Sequence, residues 1–128
     1  MSKSIIAEKS YAFAIRAVKL YQHLSNEKKE FVLSKQILRS GTSIGANVEE
    51  AIGGESTADF IHKLSIARKE ARETSYWLRL LHDTGYLEKK HFESIHADCQ
   101  EVIKILNSII LTSKGMSKNN SEFDTRNS

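Results

Sequence analysis

The sequence predicts an all-α protein, an antiparallel up-down-up-down four-helix bundle. Three observations carry that expectation. The 128 residues contain no proline, the residue that helix interiors exclude. Apolar residues recur at helical spacing in four separate stretches. The breaks between these stretches are short and polar, so consecutive helices must fold back on one another to bury their stripes. A chain of this length forms one domain around a single core. The bundle is expected over residues 1–113, with helices near 4–25, 31–53, 57–84 and 88–113, and a disordered polar tail over 114–128.

In the first helix Phe13, Ala17, Leu20 and Leu24 fall at i, i+4, i+7 and i+11, with Ala14, Val18 and Tyr21 alongside, which makes a wide apolar face. The polar run "NEKKE" at 26–30 ends it. In the second helix Ile37, Gly41, Ile44, Val48 and Ala51 keep the same spacing straight through the glycine-rich stretch "SGTSIGANVEEAIGG" at 40–54. An interior glycine costs a helix about 1 kcal/mol relative to alanine. Gly41 and Gly45, one turn apart, therefore imply a neighbouring backbone that comes too close for a side chain. Gly53 and Gly54 are expected to end this helix in the left-handed conformation.

Ser56 followed three residues later by Asp59 resembles a capping box opening the third helix. Phe60, Leu64, Ala67, Ala71, Thr74, Leu78 and Leu81 continue it, and Gly85 is its stop signal. Phe92, Ile95, Cys99, Val102, Leu106 and Ile109 lay out the fourth. Near its end apolar residues lie almost all round the axis, and a helix apolar on every side is usually buried on every side. Ile103, Ile105, Ile110 and Leu111 are accordingly the expected contacts with other subunits.

The net charge is +3 and the pI about 9.0, a mild bias that excludes no partner class. Its distribution is uneven. Residues 1–40 carry eight Lys or Arg against three acids, 41–62 none against four, and 63–79 five against two. The single cysteine, Cys99, cannot form an internal disulfide, and Glu8, Lys9 and Arg16 interrupt the place where a signal peptide would need an apolar block. No stretch approaches the ~18 apolar residues of a membrane span. A cytoplasmic protein with no membrane contact is expected.

The segments "KQILRSGTSIGANVEEA" and "DFIHKLSIARKEARETSYWLRLL", in this order and spacing, resemble the four-helix-bundle family named after intervening sequences in 23S ribosomal RNA genes. The resemblance covers about residues 5–113 and rests on Gln36, Ser43, Ile44, Asn47, Glu50, Phe60, Ala67, Glu73 and Leu78. It implies an antiparallel four-helix subunit assembled as a ring-shaped homopentamer, with no enzymatic activity established. It also implies a kinship with accessory proteins of diversity-generating retroelements, in which a similar pentamer is thought to bind nucleic acid and a reverse transcriptase. Where the family often has a small residue or serine in the third helix, this chain has Lys69 and Glu70, so a role attached to that serine does not carry over.

Two sets of residues are candidates for function. Beside the apolar stripe of the second helix runs a polar one, Gln36, Ser40, Ser43, Asn47 and Glu50. It reads either as a hydrogen-bonding strip that, with Gly41 and Gly45, fixes helix or subunit register or lines a channel, or as boundary residues facing water. On the third helix Arg68, Arg72 and Arg79 share one face over about 16 Å at 1.5 Å per residue. Neither Arg68 nor Arg72 has an acid three or four residues away, so the counter-charge must come from another helix, another subunit, solvent or a bound phosphate. Arg79 can pair locally with Asp83. The topology sets this end of the helix beside Lys28, Lys29, Lys35 and Arg39 and the start of the fourth helix with Lys89 and Lys90, a basic region that suits RNA or DNA phosphates, although Glu27, Glu30, Glu73, Asp83, Glu88 and Glu93 dilute it.

Catalytic readings are weak. Glu88 with His91 and Glu93 with His96 have the Glu-x-x-His spacing of di-metal bundles, but both pairs lie on one helix, a step off its core stripe. Cys99 lies on that stripe and reads as a small buried hydrophobe, and His23, His62 and His82 have no partner spacing. Tyr76, Trp77 and Tyr86 could stack on bases, but Trp77 beside Leu78 and Leu81 reads first as packing. No phosphate-binding loop, dinucleotide fingerprint or nucleophile elbow is present. The expectation is a non-enzymatic oligomeric scaffold without metal or cofactor, contacting RNA or DNA. The alternative is a partner of an unidentified protein that touches no nucleic acid.

Overall fold

The computed structural model describes residues 2–127, with side chains for 5–115. The expected polar tail over 114–128 falls, from residue 116, outside the described side chains. Four helices make up the fold, α1 (Ser2–Asn26), α2 (Leu33–Ile52), α3 (Thr57–Asp83) and α4 (Lys89–Asn127). No strand occurs among the described residues, and no helix is long and apolar enough to cross a membrane.

Each helix packs against its sequence neighbours, and α4 closes back on α1 through the sparsest of the four seams. Residue numbers run in opposite directions across every seam. Glu50 meets Lys63 while Arg39 meets Glu70 on α2 and α3. Lys9 meets Glu101 while Arg16 meets Asp98 on α1 and α4. The bundle is therefore antiparallel throughout, and the α1–α2 and α3–α4 loops share one end.

The core follows the stripes. Phe13, Ala17, Leu20 and Leu24 of α1 meet Ile37, Ile44, Val48 and Ala51 of α2, with Leu64, Ala67, Ala71, Leu78 and Leu81 of α3 and Ile95, Cys99, Val102, Leu106 and Ile110 of α4. At the α1–α2 seam a Cβ on Gly41 would stand 2.6 Å from Ala17 Cβ, and one on Gly45 would stand 3.3 Å from the Ser10 carbonyl oxygen. The bare α carbons of α2 thus lie directly against the backbone of α1. Val18, grouped with the apolar face of α1 in the sequence, is exposed instead, because the face that meets α2 and α4 is narrower than the stripe.

The helix ends differ in kind. Ser56 caps α3 by accepting the Asp59 N–H at 3.1 Å. Gly53 ends α2 at φ −81 and not in the left-handed region, which only Gly85 (φ 86) and Lys29 (φ 55) occupy among the described residues. The start of α2 is held from outside the helix. The Glu30 carboxylate accepts the N–H groups of Val32, Leu33 and Ser34 at 3.1, 3.0 and 2.6 Å, and the Ser34 hydroxyl returns a bond to the Glu30 carbonyl at 2.8 Å. Burial alone would raise the pKa of Glu30, but the bonds from Leu33, Ser34 and Val32 outweigh it and hold the carboxyl below its usual range.

Candidate nucleic-acid interface

The charges are sorted by seam. Lys9–Glu101 (3.0 Å) and Arg16–Asp98 (2.6 Å) close α1 on α4. Lys63–Glu50 (3.3 Å) and Arg39–Glu70 (3.3 Å) close α2 on α3, and Arg39 also pairs with Glu73, whose Oε1 accepts the Trp77 indole N–H at 3.2 Å. Among the described residues no ion pair spans α3 and α4. There the arginine contact is with a neutral group, as Arg68 Nη1 donates to Asn107 Oδ1 at 3.1 Å.

The three arginines of α3 face three environments. Arg68 is half-buried against α4. Arg72 is exposed and bonds to no described residue. Arg79 does not pair with Asp83 as its spacing suggests, and its guanidinium stands 5.9 Å from the centroid of the Tyr76 ring. Lys28, Lys29 and Lys35 are exposed at the end of the bundle and form no ion pair with a described residue. Arg39 is different. Two carboxylates already meet its charge, so it joins the α2–α3 seam and not the free basic surface. The acids responsible, Glu70 and Glu73, lie 31 and 34 residues away on another helix, beyond any local pattern.

Below these cations, Ser75 Oγ lies 2.9 Å from His96 Nε2, and Gln100 Nε2 lies 3.4 Å from the same nitrogen. His96 stacks on Phe92 at 4.9 Å, and Phe92 stacks on His82 at 4.5 Å. Burial, with a further contribution from the charge of Arg79, holds His96 below the usual imidazole range. His91 is lowered first by burial and then by Arg16 and His23, against the pull of Glu88. The two Glu-x-x-His pairs do not converge, and no group of three His, Cys, Asp or Glu among the described residues could hold a metal ion. Cys99 is buried, donates to the Ala71 carbonyl at 3.3 Å and has its thiol pushed up to about 12, first by burial and then by the charge of Asp98.

The polar stripe of α2 is satisfied within the subunit. Ser40 is buried and accepts from Thr74 Oγ1 of α3 at 2.9 Å. Ser43 and Asn47 bond to carbonyls of their own helix, Gln36 accepts from Arg39, and Glu50 pairs with Lys63. Of the four α4 residues expected between subunits, Ile110 is 2% exposed inside the subunit's own core, Ile103 and Ile105 are half-buried against it, and Leu111 is 74% exposed. A larger apolar surface lies on α1, where Tyr11, Ile15 and Val18 are exposed. With Ala14 they line a shallow groove of about 340 Å³ that neighbours a second one shared with Gly45 and Ala46 of α2. Their spacing of four and three residues was a readable second stripe, hidden by its overlap with the first.

The profile of the 23S rRNA-intervening sequence protein family matches residues 2–108, and the chain belongs to that family. A crystal structure of a protein of unknown function from the S23 ribosomal protein family of Bacteroides thetaiotaomicron is similar, with 57% sequence identity and a TM-score of 0.85. The likeness covers 86% of this chain and 98% of that one. No curated protein matches the sequence.

Proposed function

We propose that the protein is a non-enzymatic, homo-oligomeric scaffold of the cytoplasm that contacts RNA or DNA through the outer face of α3 where it borders α4. The observation that carries this reading is the sorting of charge. The cross-helix acids are matched by Lys9, Arg16, Arg39 and Lys63 at the other seams, which leaves Arg68 and Arg72 without an anionic partner among the described residues. Such cations hold phosphates at little desolvation cost and give binding without base recognition.

The exposed apolar face of α1 supports self-association, because apolar patches on soluble proteins usually mark interaction surfaces. The family resemblance makes a pentamer the expected assembly. A ring repeats a weak cationic face several times, and multivalency raises its affinity without any new contact. The test is binding of labelled RNA to the Arg68→Ala/Arg72→Ala double variant across a salt series. Removing two phosphate contacts lowers the dependence of log K on log salt by about 1 to 2. RNA retention unchanged at every salt concentration rejects the assignment.

A further inference from the structure

The exposed strip of α3 is not purely basic. Tyr76 sits between Arg72 and Arg79, one helical turn from each, so the three span about 10 Å of axis at 1.5 Å per residue. Tyr76 is 50% exposed. Trp77 meets it edge-on, with centroids 5.1 Å apart and planes at 75°. Trp77 is itself half-buried and tied through its indole N–H to Glu73, which Arg39 holds in turn. The aromatic pair is thus braced from the α2 side, and Tyr76 is the member turned to solvent. The Arg79 guanidinium at 5.9 Å from its centroid is at the outer limit of a cation–π contact, about 6 Å, which a stacking group displaces at little cost. Glu70 and Glu73, the acids of this part of α3, are engaged by Arg39 on the α2 side.

A cation, an aromatic face and a second cation along one exposed line match a nucleotide whose base is unpaired. The base stacks on the ring while the phosphates on either side meet the arginines. A duplex keeps its bases inside and offers this strip phosphates only. Resting on the reading of the α3–α4 face as a nucleic-acid interface, we propose that the ligand is single-stranded, with one base stacked on Tyr76 and its flanking phosphates held by Arg72 and Arg79. The stacking is indifferent to base identity, because every base has a π face.

Fluorescence anisotropy with labelled U20 and with a 20-base-pair RNA duplex tests this, using the wild type, Tyr76→Phe, Tyr76→Leu and Arg72→Ala. Tyr76→Leu should weaken U20 binding about tenfold and leave the duplex unaffected. Tyr76→Phe should bind U20 within about twofold of wild type, because the ring is kept. Arg72→Ala should weaken both ligands. Trp77, the one tryptophan, gives an independent reading without any variant, since its emission should change on adding U20 and not on adding inorganic phosphate. Tyr76→Leu binding U20 as tightly as wild type, or losing U20 and duplex equally, overturns the stacking proposal. If Arg72→Ala still weakens both ligands in that case, the basic face stands and only its single-strand character falls. No binding of either ligand by the wild type at low salt overturns both readings.

Discussion

Exchanging the partners at the closest helix contact tests the architecture most directly. In Gly41→Ala the new methyl would stand 2.6 Å from Ala17 Cβ. Neither carbon can rotate away, since each is fixed to its backbone, so α1 must move off α2. Overpacking a well-filled site costs about 1–3 kcal/mol, and replacing an interior helix glycine by alanine returns about 1 kcal/mol. With both atoms rigid the cost lies toward the upper end, and a net destabilisation of about 1–2 kcal/mol is expected. Ala17→Gly alone should lose about 2 kcal/mol, the sum of helix preference and one buried methyl. In the double variant the methyl changes sides, the helix preferences cancel and the clash disappears. Its stability should return to within about 1 kcal/mol of wild type, where additivity of the single losses gives about 3–4 kcal/mol. Urea unfolding at several protein concentrations measures this while keeping association apart from folding. Gly45→Ala is the internal comparison, because its methyl would stand 3.3 Å from the Ser10 carbonyl oxygen, and a shift of a few tenths of an ångström there roughly offsets the gain in helix preference. A Gly41→Ala variant more stable than wild type by about 1 kcal/mol, with the effects of the two single changes simply adding in the double, would refute the close approach of α1.

Gly85→Ala isolates backbone strain from packing. Nothing lies within 4 Å of an added Cβ but φ is +86, so a loss of about 1–2 kcal/mol is expected in urea unfolding, and Gly85→Asn should lose less. Glu30→Gln should lose about 0.5–2 kcal/mol at pH 7. Because folding lowers the Glu30 pKa from 4.5, the stability of its charged form is present above that value and fades as pH falls through the folded pKa, so the gap between wild type and variant should narrow progressively as pH falls below 4.5. His91 and His96, both lowered from 6.5, add an earlier loss as pH falls below that value, and His96→Gln should flatten this part of a thermal-unfolding profile. Cys99, buried with its thiol at about 12, should react with a thiol reagent at pH 8 only at the rate of unfolding, and stoichiometric labelling of the native protein within minutes contradicts its place in the core.

The legible part of this molecule is the part written in local spacing. Four apolar stripes, the Ser56 cap and the Gly85 stop lie within a few residues of the positions they govern, so helix number, order and core face could be read directly. Pairing between helices could not. Arg39 looked like a free cation because its acids, Glu70 and Glu73, stand a whole helix away in sequence. Arg79 looked paired because Asp83 is one turn on, yet it lies over Tyr76. Ile110 looked available to a neighbour because stripe counting gives a helix's apolar breadth and not how deeply it sinks, and α4 turns this residue inward. By sequence position Glu30 dilutes the basic end, whereas three backbone N–H groups engage its carboxylate.

This last point changes the electrostatics of the whole end. Formal charge treats Glu30, Glu70 and Glu73 as equal opponents of the lysines and arginines around them, but a carboxylate already bonded to backbone N–H groups or to Arg39 projects less field than a free one. Arg39 is neutralised by the same contacts. What remains on this part of α3 is Arg72 and Arg79 with Tyr76 between them, Lys69 beside Arg72, Arg68 anchored to neutral Asn107, and one acid that pairs with no described residue, Asp83, one turn beyond Arg79. A sequence with nearly balanced charges thereby acquires a basic strip, because the acids that pair across helices among the described residues lie at the α1–α4 and α2–α3 seams and none lies at the α3–α4 seam. Moving an acid onto that seam is the sharpest way to cancel it. Asn107→Asp places a carboxylate where Arg68 already donates at 3.1 Å, and it should weaken nucleic-acid binding as Arg68→Ala does while leaving urea stability unchanged or slightly higher. Binding unaffected by Asn107→Asp would mean that the field of this strip plays no part in holding the ligand.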